Sequence, residues 1–135
     1  MKGIADTGFL VAIANRGDRH HDWALEVTRQ IAMPLLTCES VLSELAFHLG
    51  SSSYALLLVR RGMVRMAFDI NRNLDALADL AERYADRSPD LADLCLVRMS
   101  EEYPRYFVIT TDETDFRVYR RNRRESIPLI CPPRH

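Results

Sequence analysis

Acidic side chains stand at four separated places in the 135-residue chain, each at or just beyond an apolar run. Asp6 follows MKGIA, with Thr7 beside it. Glu44 lies three residues after Val41 and one before Leu45, on or beside the apolar stripe of ESVLSELAFHL. Asp90 and Asp93 open the segment DLADLCLVRMSE. Asp112 follows Thr110 and Thr111 at the end of YFVITT, and Asp115 comes three residues later. Carboxylates that converge cannot all stay ionised unaided, because two such charges ~4 Å apart repel by about 4 kcal/mol at an effective dielectric of ~20. A hard divalent cation with oxygen ligands relieves this, and an all-carboxylate set favours Mg²⁺ or Mn²⁺ over Zn²⁺. An all-carboxylate site with open positions suits metal-assisted phosphodiester hydrolysis.

Convergence needs elements that bring the four places together. Residues 1–5 read as a strand, FLVAIAN (9–15) as a short apolar helix and HDWALEVTRQI (21–31) as an amphipathic one. PLLTC (34–38) reads as a buried strand, and residues 39–49 as a helix broken at Gly50 and the serine run. YALLLVRRG (54–62) is helical, MVRMAFD (63–69) alternates as a strand does, and NLDALADLAERYA (73–85) is strongly helical. Ser88 as N-cap and Pro89 at the first helical position begin the next helix. YFVITT (106–111) reads as a central strand and ESIPLICP (125–132) as a weak last one. Apolar strands alternating with helices imply an α/β three-layer sandwich around a mostly parallel sheet of about five strands. In such a sheet, ligands collect beyond the carboxyl ends of the strands, where these acids fall.

Each acid also has a structural reading. Asp6 or Thr7 can cap the helix that follows, Asp90 can favour a helix dipole, and TDETD reads as a turn. Glu44 and Asp93 resist this, since both sit among apolar neighbours where an unpaired charge is costly.

The segments IADTGFLVAIA, SVLSELA, DLADLCLVRMSE and VITTDETDF, in that order and spacing, resemble the PIN-domain nucleases, and most of all the VapC-type toxins. The resemblance covers nearly the whole chain, residues 1–135 as one domain. It implies a metal-dependent endoribonuclease, the toxin of a type II toxin–antitoxin pair, with Mg²⁺ or Mn²⁺ held by Asp6, Glu44, Asp93 and Asp112. Thr7, Thr110, Asp90 and Asp115 are supporting residues in this reading. Its implied partners are an RNA substrate, an antitoxin protein and a second copy of the chain. Gly8 departs from the resemblance, because the family more often has a small polar residue there. The competing reading is a non-catalytic RNA- or protein-binding module on the same fold. Asp6-Thr7-Gly8 is also the aspartic-protease triplet, but that chemistry belongs to an all-β scaffold, which the helical periodicity contradicts.

Lys2 is the only lysine among the 18 basic residues, and Arg117, Arg120, Arg121, Arg123 and Arg124 form one block with Tyr119 interleaved. The block reads as solvated surface or as a phosphate-binding flank that offsets the repulsion between an acidic site and RNA. His20 and His21 read as helix-entry residues packing Trp23 rather than as metal ligands, and His48 as a helix-surface contact of Glu44. YALLLV is more apolar than one helix face requires and suits either the core or a partner surface. His135 reads as a solvated end. Hydrophobic residues at 47% and charged residues at 27% exclude disorder, collagen and small disulfide scaffolds. The early Asp6 argues against a signal peptide, and no window matches a membrane span. Three cysteines without CxxC spacing fit a reducing cytoplasm.

Overall fold

In a computed structural model that describes residues 1–134, β1 (Lys2–Ala5) is the centre of a five-stranded sheet. His135, expected to be a solvated end, lies outside the described residues. β2 (Ala32–Thr37) and β4 (Phe107–Ile109) flank β1, β3 (Val64–Met66) lies outside β2, and Leu129–Ile130 lies outside β4. All four pairings are parallel. The registers Ile4↔Leu36 and Ile4↔Val108 bury the apolar sequences of three strands against each other. The fold is therefore the α/β, all-parallel arrangement that the alternation of strands and helices implies.

The helices around the sheet are α1 (Thr7–Ala14), α2 (His21–Gln30), α3 (Glu39–Leu49), α4 (Ser52–Arg60), α5 (Leu74–Arg83), α6 (Leu91–Glu102) and α7 (Glu113–Val118). α6 is the most deeply buried, with Leu94, Cys95, Leu96, Val97 and Met99 all in the core. Gly50 ends α3 in the left-handed conformation at φ 64°, which glycine adopts without steric cost.

The expected boundaries hold for α2 and α3 within a residue, and several others need correction. α1 begins at Thr7 rather than residue 9, because the Asp6 side chain caps it. α4 begins inside the serine run, where Ser51 Oγ accepts from the Tyr54 amide at 3.0 Å. α6 begins at Leu91, not at Pro89. Asp90 is its cap, and Ser88 is left-handed at φ 46° in the turn before it. The segment 125–132 is not one strand. Glu125–Ser126 (β6) pairs antiparallel with Arg120–Arg121 (β5) as a hairpin, and Leu129–Ile130 (β7) alone joins the main sheet. Among the described residues, no helix is long and apolar enough to cross a membrane.

Candidate active site

Asp6 is the first residue beyond β1, and its amide still donates to Ile109 O of the neighbouring strand at 3.0 Å. Its Oδ1 accepts from the Thr7 amide at 2.7 Å, and its Oδ2 from Thr110 Oγ1 at 2.6 Å. One side chain thus both caps α1 and lines the cleft at this edge of the sheet. Thr7 Oγ1 donates to Glu44 Oε1 at 2.7 Å, so α1 holds the half-buried carboxylate of α3 in place.

Asp93 enters from the first turn of α6. Its amide donates to Asp90 Oδ1 at 2.9 Å, and its own carboxylate, 9% exposed, accepts from the buried Tyr119 hydroxyl at 3.0 Å. Asp112 caps α7 and accepts from the Asp115 amide at 3.3 Å, while its own amide donates to Thr110 Oγ1 at 2.9 Å. Asp6, Glu44, Asp90, Asp93 and Asp112 line one open cleft of about 270 Å³ at the carboxyl edge of the sheet. Three helices begin at this cleft with an acid as N-cap: Asp6 for α1, Asp90 for α6 and Asp112 for α7. The positive ends of their dipoles offset only part of the acidic charge.

The electrostatics show what is left over. Burial pushes Asp6 up to about 6, with the Thr110 and Thr7 hydrogen bonds opposing and the charges of Glu44 and Asp112 adding to it. Burial and the charges of Asp90 and Asp6 push Asp93 up to about 8. Asp112 is also raised, by burial first and then by Asp115 and Asp90. Among the described residues lining the cleft, the exposed His48 is the only one able to carry positive charge. The cleft therefore gathers acidic charge that its own residues leave unpaired, a strain relieved by proton uptake or by a cation.

The donor set suits a hard divalent ion. Asp93, Asp112 and Asp115 each offer an oxygen, and these oxygens lie within 4.8 Å of one another. Asp115 thus belongs beside Asp93 and Asp112 rather than behind them. Its carboxylate also meets Arg87 at 3.3 Å on the outer side. The one cue to Asp115 in the sequence is that Asp112-x-x-Asp115 repeats the cap-plus-third-residue spacing of Asp90-x-x-Asp93, although the same residues read equally as a turn. Tyr119 had no such signal. At Gly8 a Cβ would collide with Thr111 Oγ1, so the Thr111 hydroxyl occupies the place a side chain at position 8 would take.

The arginine block is divided. Arg120 donates to the carbonyls of Arg117 and Tyr119, closing α7. Arg121, its side chain 12% exposed, donates to Ser100 O and Pro104 O and pairs with Glu125. Arg117 pairs with Glu113. Arg123 and Arg124 remain exposed at the hairpin tip, with Arg123 3.6 Å from Asp79. His21 Nδ1 meets Ala12 O at 2.7 Å and the His20 ring packs edge-on to Trp23, so both are structural. His48 packs edge-on to Phe47 and, among the described residues, makes no hydrogen bond to Glu44. No protein-family model matches the chain, and no curated protein does.

Proposed function

We propose that the protein is a metal-dependent endoribonuclease, the toxin of a type II toxin–antitoxin pair, working in a reducing cytoplasm. The observation that supports this reading best is the meeting of Asp6, Glu44, Asp93 and Asp112 in one cleft, from four distant parts of the sequence. These are the acids, in the order, that the resemblance to PIN-domain nucleases requires.

Asp93, Asp112 and Asp115 would hold Mg²⁺ or Mn²⁺, with Asp6 and Glu44 facing the same cleft. The bound ion would supply a hydroxide nucleophile and neutralise charge on the phosphate. The chain's own part is positional. Thr110 fixes Asp6 and the start of α7, Thr7 fixes Glu44, and Asp90 fixes the first turn of α6. The open cleft would admit a nucleic-acid backbone, and the exposed Arg123 and Arg124, on a hairpin docked at the C-terminal end of α6, would bind phosphates away from the acids rather than beside them. Phe47 of α3, 83% exposed, and Leu56 of α4, 54% exposed, offer apolar surface for an antitoxin or a second copy.

The test is cleavage of a panel of structured RNAs by the purified protein in Mg²⁺, Mn²⁺ or EDTA. Cleavage in either metal that EDTA abolishes is the expected result. Cleavage that persists in EDTA defeats the metal assignment. A protein that binds the RNAs and cuts none of them in any metal is a binding module.

A further inference from the structure

The tyrosine inside the arginine block faces inward. Tyr119 is 1% exposed, and its hydroxyl donates to Asp93 Oδ2 at 3.0 Å. Its ring is held edge-on by Phe116 at 5.3 Å and by Tyr84 at 5.1 Å between centroids. Its backbone is fixed as well. The Tyr119 amide donates to Asp115 O at 3.2 Å to end α7, and the next amide, that of Arg120, donates to the Tyr84 hydroxyl at 2.8 Å. One short helix therefore sets the spacing of the tight acid group. Asp112 caps its start, Asp115 lies in its first turn, and the residue that ends it grips Asp93.

We infer that Tyr119 is a positioning residue for metal binding, orienting the Asp93 carboxylate so that Oδ1 is left free for a divalent cation. Among the described residues no donor reaches Oδ1, so the phenol occupies one oxygen and leaves one for the ion. The inference rests on the nuclease reading of the cleft. A ring packed on two sides has no freedom to swing with the carboxylate, so the carboxylate takes its direction from the ring. Groups that orient a ligating carboxylate in this way commonly change metal affinity by about 10- to 100-fold when removed.

The experiment is calorimetric titration of the metal-free full chain with Mn²⁺, for wild type, Tyr119→Phe and Tyr84→Phe. Tyr119→Phe keeps the ring packing and removes only the donor. It should weaken Mn²⁺ binding by roughly tenfold or more. Tyr84→Phe keeps the ring packing, removes only the acceptor of the Arg120 amide and touches no acid, so it should weaken Mn²⁺ binding far less than Tyr119→Phe does. On an Asp93→Asn background, Tyr119→Phe should cost nothing further. Equal affinity in wild type and Tyr119→Phe overturns the role of Tyr119 and leaves the nuclease reading standing. Equal weakening by the two phenylalanine variants overturns it too, because the effect is then general loosening. A wild type that binds no Mn²⁺ overturns the nuclease reading and this inference with it.

Discussion

Thr110 and Asp6 are 104 residues apart in sequence and joined by a 2.6 Å hydrogen bond. The same Thr110 oxygen accepts from the Asp112 amide at 2.9 Å, so one fully buried hydroxyl ties the first acid to the fourth. Thr110→Val keeps the shape and removes both bonds. Losing a buried donor–acceptor pair costs on the order of 1–3 kcal/mol. The variant should melt several degrees below wild type and lose RNA cleavage, with Thr110→Ser recovering much of both. A Thr110→Val protein as stable and as active as wild type would show the link to be incidental.

Asp93→Asn is expected to raise the melting temperature of the metal-free protein while abolishing cleavage. Asn is nearly isosteric, and its carbonyl oxygen still accepts from Tyr119. Above about pH 8, where the metal-free Asp93 carboxyl is ionised, the change removes one charge from a cluster whose pairwise repulsion is on the order of a few kcal/mol. Wild type should gain stability from Mn²⁺ by mass action, and the variant less. Thermal unfolding in EDTA and then in excess Mn²⁺ separates the two effects. A lower melting temperature in EDTA together with an equal response to Mn²⁺ would falsify the assignment of Asp93 as a ligand.

Metal-free protein should lose stability as the pH rises from 5 to 8. Asp6 is raised to about 6 and Asp93 to about 8, above the ordinary carboxylate value of 3.8. A carboxyl raised by folding binds its proton more tightly in the folded chain. Its contribution is whole below the ordinary carboxylate range and is lost as the pH climbs through the folded value. Melting temperatures in EDTA across this range should fall, and saturating Mn²⁺ should flatten or reverse the fall. A flat profile in EDTA would mean that the acids are not held as closely as the cleft geometry has them.

The arginine block should split into two behaviours. Arg121→Ala removes bonds to Ser100 O and Pro104 O and the pair with Glu125, so it should destabilise the fold by about 1–3 kcal/mol. Arg123→Ala with Arg124→Ala should leave melting almost unchanged. The pair should lower the log–log salt slope of RNA binding by roughly one unit or slightly less for each phosphate that is no longer neutralised. An unchanged slope identifies the hairpin tip as ordinary solvated surface.

β1, β2 and β4 were legible because each holds a short apolar run, and such runs have few places to go but a covered parallel sheet, whereas Val64–Met66 showed only alternation and Leu129–Ile130 was merged into the longer segment 125–132. The acids at their carboxyl ends were legible for the same reason, since strand direction fixes which end of the sheet a following residue occupies. α7 was not legible as a helix. Six residues give no full hydrophobic period, and its cap-and-third-residue acids resemble a turn. The hairpin Arg120–Ser126 was hidden as well, because its turn runs through Asn122 and Arg123 at φ 50° and 70° with no glycine to mark it.

The sequence by itself determined the α/β class and the three central strands and offered four candidate acids, all of which depend on local apolar pattern and residue order. The tertiary structure decided which acids share a metal-sized space, placing Asp115 with Asp93 and Asp112 and giving Asp6 and Glu44 hydroxyl donors. It also decided which arginines are tied into the fold and which stay exposed, and turned Tyr119 inward to Asp93. These pairings join residues far apart in the chain or around a short helix, and they are fixed by side-chain direction in the packed fold and not by spacing along the sequence.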